Sequence, residues 1–206
     1  MTTLILVRHG HVDWIAPPRF RGRAEPPLTG LGLRQAEATA RHLRAALPAL
    51  AAIYTSPLGR CRDTAEAIAG AFGTTVDVLP GLNDLDYGAW QGLTHEEARA
   101  GWPAEVEAWF RVPHLAAIPG GETLPDLVAR VAGTLHQVLA RHGRDATVVL
   151  VGHDSVNRAA LCHALGLPPE AYRRLRQDPC ALNELRFDGR DFTVALVNGT
   201  QHLAGA

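Results

Sequence analysis

Four strand-like runs stand out along this chain, and a fifth is weaker. Leu4-Ile5-Leu6-Val7, Ala51-Ala52-Ile53-Tyr54 and Val148-Val149-Leu150-Val151 are short and continuously apolar. Runs of that kind suit strands covered on both faces, as in a parallel sheet. Phe192–Val197 is the fourth, and Leu182–Phe187 alternates more weakly. Between the runs the apolar positions repeat at helical spacing. Thr29 to Leu47 opens on a threonine suited to capping and keeps Leu31, Ala36, Ala40, Leu43 and Leu47 near one face. Arg60 to Phe72 is a second, alanine-rich helix. Leu124 to Arg141 is a third, with Leu127, Val131, Leu135 and Val138 in register. Asp154 to Leu165 is a fourth and stops at Gly166. Strands alternating with helices predict a three-layer α/β/α architecture with a mostly parallel sheet flanked by helices.

Residues from about 80 to 121 break this pattern. They hold Trp90, Trp102 and Trp109, three of the four tryptophans, with Pro103, Pro113 and Pro119, and no strand pattern. The expectation is a helical flap inserted over the strand C-terminal ends, within one domain spanning 1–206. Trp14, in the loop after the first strand, is placed to face it. At least two of these tryptophans are expected to be core anchors.

Composition narrows the function classes. The 206 residues carry a formal net charge of −1, so no global field attracts nucleic acid or an anionic membrane. Any anion site must be local. Met1-Thr2-Thr3 lacks a basic stretch, the apolar run after it is too short for a signal peptide, and no stretch reaches the ~20 apolar residues that span a bilayer. Cys61, Cys162 and Cys180 are odd in number and widely spaced, which fits a reducing compartment, and the cytoplasm is the expected location.

The chemistry sits at the ends of the predicted strands, where open α/β sheets bind ligands. The first run delivers Arg8-His9-Gly10, and the third delivers Gly152-His153-Asp154. The second run leads through Ser56-Pro57 into a helix whose first turn holds Arg60 and Arg62. A cation there opposes the helix dipole, and an arginine kept at such a place is explained by an anion. Arg60 takes that reading, and Arg62 reads as a surface residue. Guanidinium forks match phosphoryl oxygens. A neutral imidazole can attack phosphorus, and a second can stabilise the charge that builds on its oxygens. The missing proton donor is offered by Asp84 and Asp86 in the flap.

In their order along the chain, these pieces resemble the histidine phosphatase superfamily, in its phosphoglycerate mutase-like branch. The resemblance runs over essentially the whole length. It rests on Leu-Val-Arg-His-Gly at 6–10, Arg19-Phe20-Arg21-Gly22 with Pro27-Leu28-Thr29, and Ser56-Pro57-Leu58-Gly59-Arg60. It continues through residues 82–92, Gly120-Gly121-Glu122, Gly152-His153, and a tail with Asn198, Gln201, His202 and Leu203. It implies His9 as nucleophile and a phosphate pocket of Arg8, His9, Arg60 and His153. The family's acid is usually a glutamate. The matching position here is Asp84, one methylene shorter, with Asp86 as its rival. Arg21 stands where a glutamine is common and would add positive charge. His11 and Ile15 are unusual at their positions, and Ile15 removes an expected phosphate donor. Asp154 is expected to cap the helix it begins.

The expected function is a metal-independent phosphomonoester hydrolase that acts on a small phosphorylated metabolite through a phosphohistidine. The alternative is a cofactor-dependent phosphoglycerate mutase-type phosphoryl transferase, although such mutases tend to be longer. No cofactor and no metal are expected. The His9-x-His11 spacing would suit a barrel metallohydrolase, but such barrels need ~250 residues and an acidic ligand cluster does not accompany the pair. No nucleic-acid or membrane partner is expected, and a homodimer is compatible with the sequence. His95, Trp102, Trp109 and His114 are candidate lining for a neutral or partly apolar substrate group.

Overall fold

Alternate residues of the central strands enter different cores, which is why their sequences show no polar face. In the computed structural model, which describes residues 1–14 and 17–205, β1 is Thr2–Arg8, β2 Ala52–Thr55, β3 Asp77–Val78, β4 Thr147–Gly152, β5 Leu182–Phe187 and β6 Phe192–Gly199. The helices are α1 Gly30–Ala46, α2 Gly59–Phe72, α3 His95–Gly101, α4 Pro103–Arg111, α5 Leu124–Arg141 and α6 Asp154–Leu165. Leu4 and Leu6 of β1 and Val148 and Leu150 of β4 join Leu127, Val131 and Leu135 of α5 in one core. Ile5, Val7, Val149 and Val151 join Leu43 of α1 and Ile68 of α2 in the other. This is the three-layer arrangement that the apolar runs predict.

The sheet order is β3-β2-β4-β1-β5-β6. β3, β2, β4 and β1 are mutually parallel, whereas β5 runs antiparallel to both β1 and β6. The short Asp188–Asp191 connection explains the antiparallel pair, because a parallel crossover needs a dozen or more residues. The two residues of β3 are both exposed and left no apolar signature.

Local signals set the helix ends. Thr29 caps α1 by accepting from Gly32 N, and Thr123 caps α5 by accepting from Asp126 N. α2 and α6 end at Gly73 and Gly166, both left-handed at φ 65° and 61°. The flap is helical as expected, with α3, α4 and short 3-10 turns at 80–82 and 88–90. Trp90 and Trp109 are buried anchors of the α5-side core, and Trp102 packs against it in part. Trp14 meets Arg19 at 5.9 Å, and Arg19 in turn donates to Gly92 O of the flap at 2.7 Å. Among the described residues no helix is long and apolar enough to cross a membrane. Cys61, Cys162 and Cys180 are free and buried. Ile15 lies outside the described residues.

Candidate active site

Three neighbouring strands end at one point. Arg8 of β1 is in register with Gly152 of β4, and His9 N donates to Gly152 O at 3.0 Å. The rings of His9 and His153 are therefore 5.3 Å apart. Ser56, just after β2, donates its N–H to Val151 O at 3.0 Å and stands beside His153. The turn out of β1 passes so close to α1 that a Cβ on Gly10 would lie 2.5 Å from Gly32 O. Only glycine fits there.

His9 is buried, and its Nδ1 lies 2.7 Å from Gly10 O. A carbonyl only accepts, so Nδ1 carries the hydrogen and Nε2 keeps its lone pair. Burial, followed by the charges of Arg8, His153 and Arg60, holds the imidazole well below its ordinary pKa. The ring is neutral, oriented and nucleophilic at Nε2.

The cations around it are fixed but incompletely used. Arg8 donates through Nη1 to Gln177 O at 2.7 Å. Arg60 is fully buried and donates to Ala24 O at 2.6 Å and Gly22 O at 2.7 Å. The Nε atoms of both guanidiniums are buried and have no hydrogen-bond partner among the described residues. An unpaired buried donor is costly, and an anion bound between them would satisfy both.

Asp84 and His153 share Arg60. Its Nη2 faces Gly22 O, Asp84 Oδ2 at 3.1 Å and His153 Nδ1 at 3.2 Å. His153 Nε2 lies 2.8 Å from Ser56 Oγ, and burial, then Arg60, keeps the ring neutral, well below its ordinary pKa. Asp84 is buried, and Ser155 Oγ and Leu85 N both donate to its Oδ1. Burial raises its pKa above the ordinary aspartate value, with Arg60 opposing. Asp86 is elsewhere: it pairs with Arg23 at 2.9 Å and accepts from Gly88 N.

Sequence reasoning missed what holds the Asp84 loop. Arg130 of α5 donates to Gly81 O at 2.9 Å and Asn83 O at 3.0 Å, and pairs bidentately with Glu122 at 2.7 and 2.8 Å. Three backbone carbonyls next to Asp84 would otherwise be loose, the third being that of Asp84 itself at 3.5 Å. Arg130→Met should release this loop and lower kcat by about 10- to 100-fold while KM changes less, since small misplacements of a catalytic group cost that much. Steady-state kinetics on an alkyl phosphate checks it. A mid-helix arginine reads as solvated in sequence, and its only signal was Glu122 just before the helix.

The mouth of the site departs from expectation. Asp154 does not cap α6, because His153 holds the cap position and Asp154 is the first helical residue. Its carboxylate faces the cleft, and Arg8, Arg158 and Arg21 hold it ionised against its burial. The cleft is lined by charged groups, Arg21, Asp154, Arg158 and Arg173, beside Tyr87, His95, Trp109 and Phe110. His95 and Trp109 therefore line it as anticipated, whereas Trp102 does not and His114 turns away to Glu170 at 3.2 Å. The flap's aromatics share that lining with arginines from outside the flap, so the cleft is charged as well as aromatic. His11 is engaged with the α1 cap: its Nδ1 lies 2.9 Å from Thr29 Oγ1 and its N–H donates to Gln35 Oε1. Among the described residues no three potential metal ligands gather.

A family model described as histidine phosphatase superfamily, branch 1, matches residues 4–200. The chain belongs to the histidine phosphatase superfamily. It is an enzyme of the phosphatase class. It is 33% identical over 203 residues to phosphoserine phosphatase 1 of Hydrogenobacter thermophilus, covering 98% of this chain and 95% of that one. A probable phosphoglycerate mutase of Proteus mirabilis is 33% identical over 206 residues, covering 97% and 90%. The solved structure of Bacillus stearothermophilus YhfR superposes with a TM-score of 0.92 at 30% identity, covering 98% of this chain and 100% of that one.

Proposed function

We propose that this phosphatase hydrolyses small phosphomonoesters without a metal, through a phosphohistidine at His9. The observation that carries the proposal is the neutral His9 imidazole, its Nε2 and the buried Nε donors of two neighbouring guanidiniums all without a partner among the described residues. Arg8 and Arg60 would take the phosphoryl oxygens. Nε2 attacks phosphorus, the bond from phosphorus to the substrate alcohol oxygen breaks, and Asp84 gives that oxygen its proton. The products are the free alcohol, phosphohistidine and the Asp84 carboxylate. Asp84 then takes a proton from water, the hydroxide attacks phosphorus, and the P–N bond breaks to restore His9. A bound phosphoryl dianion favours the charged form of His153, which then donates to the oxygens where charge develops. Arg21 adds a cation at the entrance.

The mutase reading has support from the Proteus mirabilis relative and differs in the second step, where a bound product rather than water takes the phosphoryl group. Release of inorganic phosphate from p-nitrophenyl phosphate is expected to continue at full rate in excess EDTA. Loss of that activity with the chelator, restored by a divalent cation, would contradict the metal-independent mechanism. Phosphoglycerate isomerisation outpacing phosphate release would favour the mutase.

A further inference from the structure

The two oxygens of the Asp84 carboxyl have different surroundings. Oδ1 accepts from Leu85 N at 2.8 Å and from the Ser155 hydroxyl. Oδ2 faces Arg60 Nη2 at 3.1 Å and His153 Nδ1 at 3.4 Å. A carboxyl oxygen has two lone-pair sites, so two donors fill Oδ1. A proton on this carboxyl then belongs to Oδ2, the oxygen on the side of the phosphoryl pocket. Both donors to Oδ1 are fixed. Leu85 is buried in the α5-side core, and Ser155 is buried as the second residue of α6.

The Ser155 hydroxyl is not used by its own helix. A serine in a first helical turn ordinarily turns back onto the free N–H groups there. The cap position of α6 is held by His153 with no side-chain cap bond, and the Ser155 hydroxyl crosses to Asp84 instead. Its oxygen also lies 3.4 Å from Leu85 N, so serine, carboxyl and amide close into one small ring. The terminal torsion of an aspartate is broad and roughly two-fold. The backbone of residue 84 alone therefore does not decide which oxygen turns to the pocket, and the donor from α6 does.

We propose that Ser155 is a positioning residue for the acid: by donating to Oδ1 of Asp84 it leaves Oδ2 to carry the proton and present it to the leaving oxygen. The inference rests on the reading of Asp84 as the acid. A hydroxyl that donates to a carboxylate favours the ionised form, so Ser155 opposes the upward push of burial on the Asp84 pKa. Other groups set the same pKa. Arg60 of α2, Arg8 of β1 and Arg21 favour the carboxylate, Asp154 disfavours it, and His153 stands beside Oδ2. Arg130 of α5 reaches only the main-chain oxygen of Asp84, at 3.5 Å. Tyr87, Tyr172 and Cys61 are kept uncharged by burial. A change at Ser155 removes none of these charges.

The test is the pH profile of kcat on an alkyl phosphate such as glycerol 3-phosphate. Ser155→Ala should move the alkaline limb to higher pH by about one unit, the size of one hydrogen bond to a charged group. It should also lower the plateau by about tenfold, because the proton is no longer aimed. Phosphoryl transfer from p-nitrophenyl phosphate, which needs no acid, should change little. Ser155→Cys is close in shape and a weak donor. It should move the limb the same way, and it carries the test if the alanine variant does not fold. In an Asp84→Asn background Ser155→Ala should alter kcat on the alkyl phosphate by less than about twofold, since the group it orients is gone. A serine kept only for packing would lower the melting temperature and leave the limb where it is. An unmoved limb in the folded variants, or a full further loss in the Asp84→Asn background, would overturn the role of Ser155. An alkaline limb that survives Asp84→Asn with Ser155 intact would instead overturn Asp84 as the acid.

Discussion

His9→Ala is expected to reduce phosphomonoester hydrolysis by about 10⁴-fold or more, with the fold unchanged, because a covalent route loses its only nucleophile. The loss should be as large for an aryl phosphate as for an alkyl phosphate, since attack on phosphorus is common to both. A histidine kept for packing would behave differently. His9 is buried, so its removal would then lower the melting temperature and leave kcat largely intact. Kinetics and thermal unfolding of the same sample separate the two outcomes.

Asp84→Asn should give a loss that depends on the leaving group. With an alkyl phosphate the fall is expected to be about 10²- to 10⁴-fold, the range for removing a general acid. With p-nitrophenyl phosphate, whose leaving oxygen needs no proton near neutral pH, the phosphoryl-transfer step should fall much less. Asp86→Asn should show no such dependence, because Asp86 is tied to Arg23 and Gly88 N away from the pocket. The pH profile has a sign on each side. Rising pH deprotonates Asp84, so the rate on an alkyl phosphate falls through a pKa that burial places above the ordinary 3.8. Falling pH protonates His9, and burial places that limb well below the ordinary 6.5. Asp84→Asn should remove the alkaline limb and keep the acidic one. A profile in which both limbs survive would reassign the acid.

The parts of the fold that were legible are those buried on two sides. β1 and β4 face a core on each side, so every residue from Leu4 to Val7 and from Val148 to Val151 had to be apolar. β3 is two exposed residues on an edge and had no such constraint. The site was legible for the same reason. His9 and His153 follow those two strands directly, and neighbouring parallel strands bring their ends together without further instruction. Arg130 was not legible, because its partners are main-chain carbonyls that any sequence supplies. Asp154 was misread because a carboxylate at a helix start ordinarily caps it. Here the β4 backbone runs on through His153, which takes the cap position and frees Asp154 to face the cleft.

The covalent intermediate is the claim on which the rest depends. Mixing the enzyme with radiolabelled substrate and quenching in base, where phosphohistidine survives, should yield labelled protein within one turnover. Peptide mapping should place the label on His9, and His9→Ala should carry none. Burst-rate hydrolysis with no labelled protein, or a label on any residue other than His9, would contradict the mechanism.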